Sequence, residues 1–229
     1  MPSLTDAARR LLAAPRVDGL GSIIAVCGAR SGLGTSYVAR ELALAMAGGG
    51  ATVLLADMDI SKCDQTAALC SAGAQSVYGA AQGPYDATYG AAPYWQVTPV
   101  ATGEGAQSSF GALYQLPQRN ISVTGFLWDN VKDGQTVQIT RAPNYWTALR
   151  RHYQATVIDV PAPDRSDSGA TVYGFADSTV LVTASVKDFE NQTALGLIAG
   201  AGGNCAGVIV NAVPAQAPQA GVYPGQAPI

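Results

Sequence analysis

Residues 27–36 read CGARSGLGTS, preceded by SIIAV and followed by YVARELALAMA. An apolar run short enough for a buried strand thus enters a glycine-rich turn that opens directly into a helical pattern. Such a turn leaves backbone N–H groups and the positive end of a helix facing one point, which is a cradle for an anion. GGGA then closes the helix near residue 46, and TVLLADMD supplies a second buried strand. A strand, a turn, a helix and a second strand in this order commit the chain to parallel pairing, because the returning strand must run the same way.

The alternation continues downstream. A helix over 144–152 leads into ATVIDVP, a helix near 168–176 into STVLVTAS, and a helix over 188–201 into AGVIVNAV. Together these predict an α/β three-layer sandwich, a mostly parallel sheet with helices on both faces. Ahead of it, LTDAARRLLAA puts Leu4, Ala7, Ala8, Leu11 and Leu12 on one helical face, capped by Thr5 or Asp6 and ended by Pro15. Residues 71–120 are less regular, with a strand expected at 95–100, a helix near 107–116 and NISVTGF as a strand at a sheet edge. The aromatic residues of 77–95, Tyr78, Tyr85, Tyr89, Tyr94 and Trp95, mark a candidate partner surface or a packed irregular loop.

The chain's 229 residues suit one α/β domain, and a net charge of −3 with pI near 5.0 argues against nucleic acid as a partner. Four cysteines without a CxxC pair read as reduced thiols, no apolar run reaches the ~18 residues of a membrane span, and no secretory leader is present, so a cytoplasmic protein is expected. His152 is assigned to the surface without a chemical role.

Two families resemble the turn. GxxxGxG at Gly28, Gly32 and Gly34, followed by GATVLLADMD, resembles the start of an NAD(P)-binding short-chain dehydrogenase. Those enzymes need a tyrosine with a lysine four positions on, and none of the ten tyrosines here has one. The stronger resemblance is to the deviant Walker P-loop ATPases, the class of MinD, ParA and the bacterial tyrosine kinases. Aligned on Gly32, Leu33 and Gly34, Ser36 falls on the magnesium-binding hydroxyl, Arg30 on the upstream lysine and Ser31 on a glycine. VLLADMD resembles the second Walker strand and gives Asp57 and Asp59. YQATVIDVPAPD resembles Walker B and gives Asp159, and GVIVNAV resembles the strand whose asparagine reads adenine, giving Asn211.

The resemblance implies a nucleotide site of Arg30, Ser31, Gly32, Leu33, Gly34, Thr35, Ser36 and Asn211, with Mg2+ held by Ser36, Asp57, Asp59 and Asp159. Asp57 and Asp159 would be the catalytic acids. ATP or ADP with Mg2+ is the implied cofactor set, with an unliganded site as the other outcome, because Thr35 stands where the phosphate-binding lysine belongs. Phosphoryl transfer works by positioning and charge, so losing that ammonium implies a pseudo-kinase or pseudo-ATPase. In the family the upstream lysine acts on a partner's nucleotide, a role that Arg30 could take in trans.

The chain stops within 20 residues of Asn211, as the tyrosine kinases of capsule and exopolysaccharide assembly do. The implied function is regulatory, on polymerisation or export, through a homo-oligomer recruited to the inner membrane face by a membrane-embedded polysaccharide co-polymerase or secretion component. GARSGLGTSY also resembles the TadZ/CpaE pilus-localisation ATPases, an alternative kept open. On this reading residues 1–18 are an N-terminal helix and linker, 19–213 the P-loop NTPase-like domain, and 214–229 a flexible tail rich in Pro, Ala and Gln.

Overall fold

A computed structural model describes residues 3–14, 19–99 and 107–211 of the chain. In chain order its elements are α1 (Leu4–Ala13), β1 (Ser22–Gly28), α2 (Thr35–Gly48), β2 (Val53–Asp57), α3 (Asp64–Cys70), α4 (Gln75–Tyr78), β3 (Gln82–Asp86), β4 (Trp95–Thr98), β5 (Gly111–Leu116), β6 (Ile121–Phe126), β7 (Thr136–Ile139), α5 (Pro143–His152), β8 (Ala155–Asp159), β9 (Ser178–Thr183), α6 (Glu190–Gly200) and β10 (Cys205–Val210). The tail 214–229 and most of the linker after α1 lie outside the described residues.

Eight strands form one sheet in the order β10-β9-β1-β8-β2-β6-β5-β3. The first six run parallel, and β5 and β3 close the far side antiparallel. Every residue of β1, β2, β8 and β9 is buried, as expected of parallel strands covered by helices on both faces. The resulting α/β three-layer sandwich is the architecture expected from the sequence.

Register places the acids. Asp57 pairs with Asp159 across β2 and β8, and Val26 of β1 pairs with Asp159 from the other side. Both carboxylates therefore stand at the carboxyl ends of neighbouring strands, beside the turn that leaves β1. At the opposite end, the Arg150 guanidinium pairs with Asp177 and donates to the carbonyls of Gly21 (3.0 Å) and Phe175 (2.8 Å). Asp177 also accepts from the N–H of Ile23 at 2.8 Å, so one ion pair fixes α5, the start of β1 and the approach to β9.

The segment 71–139 departs from its expected form. Residues 107–116 are a 3-10 turn (Gln107–Phe110) and the strand β5, not a helix. The strand pairs with β6 over its whole length, and that pairing outweighs the helix propensity of Ala, Leu and Gln. NISVTGF lies inside the sheet between β2 and β5, not at an edge. The helix expected near 168–176 is two 3-10 turns, Asp167–Thr171 and Tyr173–Phe175. The strand expected at 95–100 is β4, which pairs with β7 in a separate two-stranded sheet.

The candidate aromatic partner surface is largely interior. Tyr94 and Trp95 are buried with Tyr145 and Trp146, and the Tyr94 and Trp146 rings stack with centroids 5.5 Å apart. Tyr89 is partly buried, its ring 5.1 Å from that of the exposed His152, and Tyr85 is the exposed member of the group.

Candidate functional site

The turn after β1 needs two left-handed residues, and glycine occupies both, Gly32 at φ 78° and Gly34 at φ 75°. Gly34 has a second constraint, because a Cβ there would lie 2.5 Å from Nδ2 of Asn211. That amide donates to the Leu33 carbonyl at 2.8 Å, so the end of β10 is tied to the turn. Asn211, expected to read adenine, instead has its side-chain donor engaged by the backbone of the glycine turn.

α2 begins at Thr35, and its first-turn N–H groups have no partners within the helix. The Thr35 side chain is turned back on β1, its Oγ1 lying 2.4 Å from where a Cβ on Gly28 would stand. A threonine so placed brings no cation to the turn. Arg30 brings none into the hollow either: its Nε lies 3.8 Å from Glu190 and its Nη1 donates to the Ser31 carbonyl at 3.3 Å. Ser31 is held from outside the turn. Its N–H donates to both oxygens of Asp164, at 2.9 and 3.1 Å, and its hydroxyl to Asp164 Oδ2 at 2.7 Å.

The three acids are brought together on one side of the turn but face different partners. Asp59 accepts the Arg165 guanidinium on both oxygens, and Ser61 donates to its Oδ1 at 2.7 Å. Asp57 and Asp159 converge on Gln65, the second residue of α3. The Gln65 N–H donates to Asp57 Oδ2 at 3.0 Å, and its Nε2 donates to Asp159 Oδ2 at 2.7 Å and to the Ser36 carbonyl at 2.8 Å. Asp57 Oδ1 is buried and has no hydrogen-bond partner among the described residues.

Burial sets the electrostatics. It pushes the Asp159 carboxyl up to about 6, against the opposing pull of hydrogen bonds from Gln65 and Ser36. Asp57 is raised well above the usual carboxylate range, first by burial and then by the charge of Asp159 across the strand pair. Asp164, near the surface, is lowered by its bonds to Ser31.

A divalent cation would suit two buried carboxylates with one unpartnered oxygen. The residues as placed do not fit it: Asp59 is spent on Arg165, the Gln65 amide lies between Asp159 and Ser36, and no group of three His, Cys, Asp or Glu among the described residues is arranged to hold a metal ion. The sequence reading missed Gln65, Asp164 and Arg165. Asp164 lies in the VPAPD stretch beside Asp159, but Gln65 carried no signal, since a glutamine in the first turn of a helix reads as solvated.

No family model matches the chain and no curated protein matches it in sequence. Solved structures do. The chain covers 84% of the chimerical protein CapA2B2 at 18% identity and TM-score 0.60, with 92% of its own length matched. It covers 93% of the VpsO kinase domain at 18% identity and TM-score 0.55, again over 92% of its own length. A cobyrinic acid a,c-diamide synthase from Mycobacterium smegmatis, solved with bound ADP and magnesium, matches 79% of this chain and is itself covered over 68%, at 13% identity and TM-score 0.51. At these identities the likeness is one of fold, an α/β three-layer sandwich that the chain shares with these structures.

Proposed function

We propose that this chain is a degenerate P-loop regulatory protein of exopolysaccharide or capsule polymerisation or export, built like a tyrosine-kinase domain and working without phosphoryl transfer. The observation that carries the reading is Thr35, folded back on β1 where the phosphate cradle needs a cation. Removing even one preorganised hydrogen-bond donor from a transition state costs about 10²–10³ in rate, and here a full positive charge is missing and no other cation reaches the hollow from the turn. The partner on this reading is a membrane-embedded co-polymerase or secretion component, met by a homo-oligomer at the inner membrane face. Among the described residues no helix is long and apolar enough to cross a membrane.

Deletion in the source organism, scored for surface polymer, tests this. Loss of polymer is expected, with full rescue by wild type and equally by Asp159→Asn, which removes a Walker acid. Failure of Asp159→Asn to rescue, with the variant folded, overturns the non-catalytic reading. Loss of pili with normal polymer favours the pilus-localisation alternative, for which the GARSGLGTSY turn speaks. Tight NADH binding in calorimetry returns the chain to the dehydrogenases.

A further inference from the structure

The contacts that a nucleotide phosphate and its cation would need are made here by the chain itself. Arg165 and Asp164 are neighbours on the loop that leaves β8, and they reach in two directions. Asp164 lays a carboxylate on the N–H and hydroxyl of Ser31, in the turn that cradles anions. Arg165 lays a guanidinium on Asp59 and donates to Ser61 at 2.8 Å. Deeper, the Gln65 amide bridges Asp159 and the Ser36 carbonyl, while Arg40 reaches its Oε1 at 3.5 Å.

Chance is a poor account of Gln65. It is fully buried, which is uncommon for glutamine, and both its backbone and side-chain donors are spent on the two acids at the ends of β2 and β8. A neutral amide offers donors to carboxylates without the charge of a dication, which leaves Asp57 Oδ1 unpartnered in the same hollow. Arg165 supplies the charge, on the outer acid.

We infer that Gln65 and the Asp164–Arg165 pair are resident replacements for a cation and a phosphate, holding this P-loop closed so that Mg2+ is excluded while they are in place. The inference rests on the P-loop reading above and adds the residues that enforce it. Gln65 is the inner stop, and the half-exposed Arg165 is the outer latch that a ligand would have to displace.

Mn2+ alone, titrated into the purified full chain and followed by the loss of its free-ion paramagnetic resonance signal, is the test, with thermal unfolding run in parallel. Wild type should take up no Mn2+ saturably, and its melting midpoint should be the same with or without Mg2+. The pair Gln65→Ala with Arg165→Ala should melt lower without ion, bind Mn2+ at least about tenfold more tightly than wild type, and recover its midpoint with Mn2+ or Mg2+ but not Na+. Wild type binding one Mn2+ per chain as tightly as the pair overturns the inference, as does a folded variant whose melting ignores both cations. Should Gln65→Ala fail to fold, Arg165→Ala alone must still gain Mn2+ uptake, and its failure to do so counts against the latch. Ion uptake is read on the isolated chain and polymer assembly in cells, so either claim can fail while the other stands.

Discussion

The parallel strands and the segment 71–139 fill the interior with different chemistry. Strands β1, β2, β8, β9 and β10 contain no aromatic ring, and residues such as Ile23, Leu54, Val157 and Leu181 are at or near zero exposure. Around the other segment Tyr94, Trp95, Phe110, Phe126, Tyr145 and Trp146 interlock edge to face or in stacks. The difference teaches what each half is for. Aliphatic strands in strict register fix the heights of Asp57 and Asp159, as a site requires. Large rings fill the irregular space between a two-stranded sheet and α5 with few regular elements, and so support the site from behind.

Removing a ring should therefore be the most damaging single change. Trp95→Ala deletes a buried indole and its hydrogen bond to the Gln107 carbonyl (3.0 Å), and is expected to cost about 3–5 kcal/mol in urea unfolding. A cost near 1 kcal/mol would mean that the aromatic segment collapses around the gap and is less specifically packed than the parallel half. Arg150→Ala is the counterpart in the parallel half. It leaves Asp177 partly buried without its cation and frees two carbonyls, for an expected loss of about 3 kcal/mol by the same measurement. If Arg150→Ala proves nearly neutral, register in the parallel half is held by strand packing alone.

The two halves also differ in how well the sequence foretells them. In the parallel half each strand is a continuous apolar run, mostly beside a helix, a local pattern from which the mostly parallel α/β sandwich and the strand-end placement of Asp57 and Asp159 were readable. In 71–139 two things hide the structure: the helix-prone composition of 111–116 masks a short hairpin with 121–126, and the burial of Tyr94 against α5 depends on a partner some fifty residues away. Gln65 was invisible for a related reason: its role exists only once β2, β8 and α2 are brought around it.

The site should also weaken the parallel half in a way that pH reveals. The folded Asp159 titrates at about 6, above the unfolded value of about 3.9, so the folded state holds the extra proton in between. Its contribution is then full below about pH 4 and is lost as pH rises through about 6. Asp159→Asn keeps an oxygen for the Gln65 donor and removes the buried charge, and is expected to gain on the order of 2 kcal/mol at pH 7 and little at pH 4. Equal gain at both pH values, or a loss at pH 7, would show that the charge is compensated in place.

Tyr94→Phe addresses the seam between the halves, with the smallest expected effect. The Tyr94 hydroxyl donates to the Asp57 carbonyl at 2.6 Å, joining the aromatic cluster to the last residue of β2. Phenylalanine preserves the ring and its stack on Trp146, so no cavity opens and the change isolates one buried hydrogen bond, worth about 1 kcal/mol. Its consequence should be local: amide exchange should quicken at Asp57 and Met58, at the rim of the site, and stay unchanged at Leu54 in mid-strand. Should exchange at 57–58 stay as slow as in wild type while stability falls, the hydroxyl serves the aromatic cluster alone, and the acids are held by strand register without support from behind.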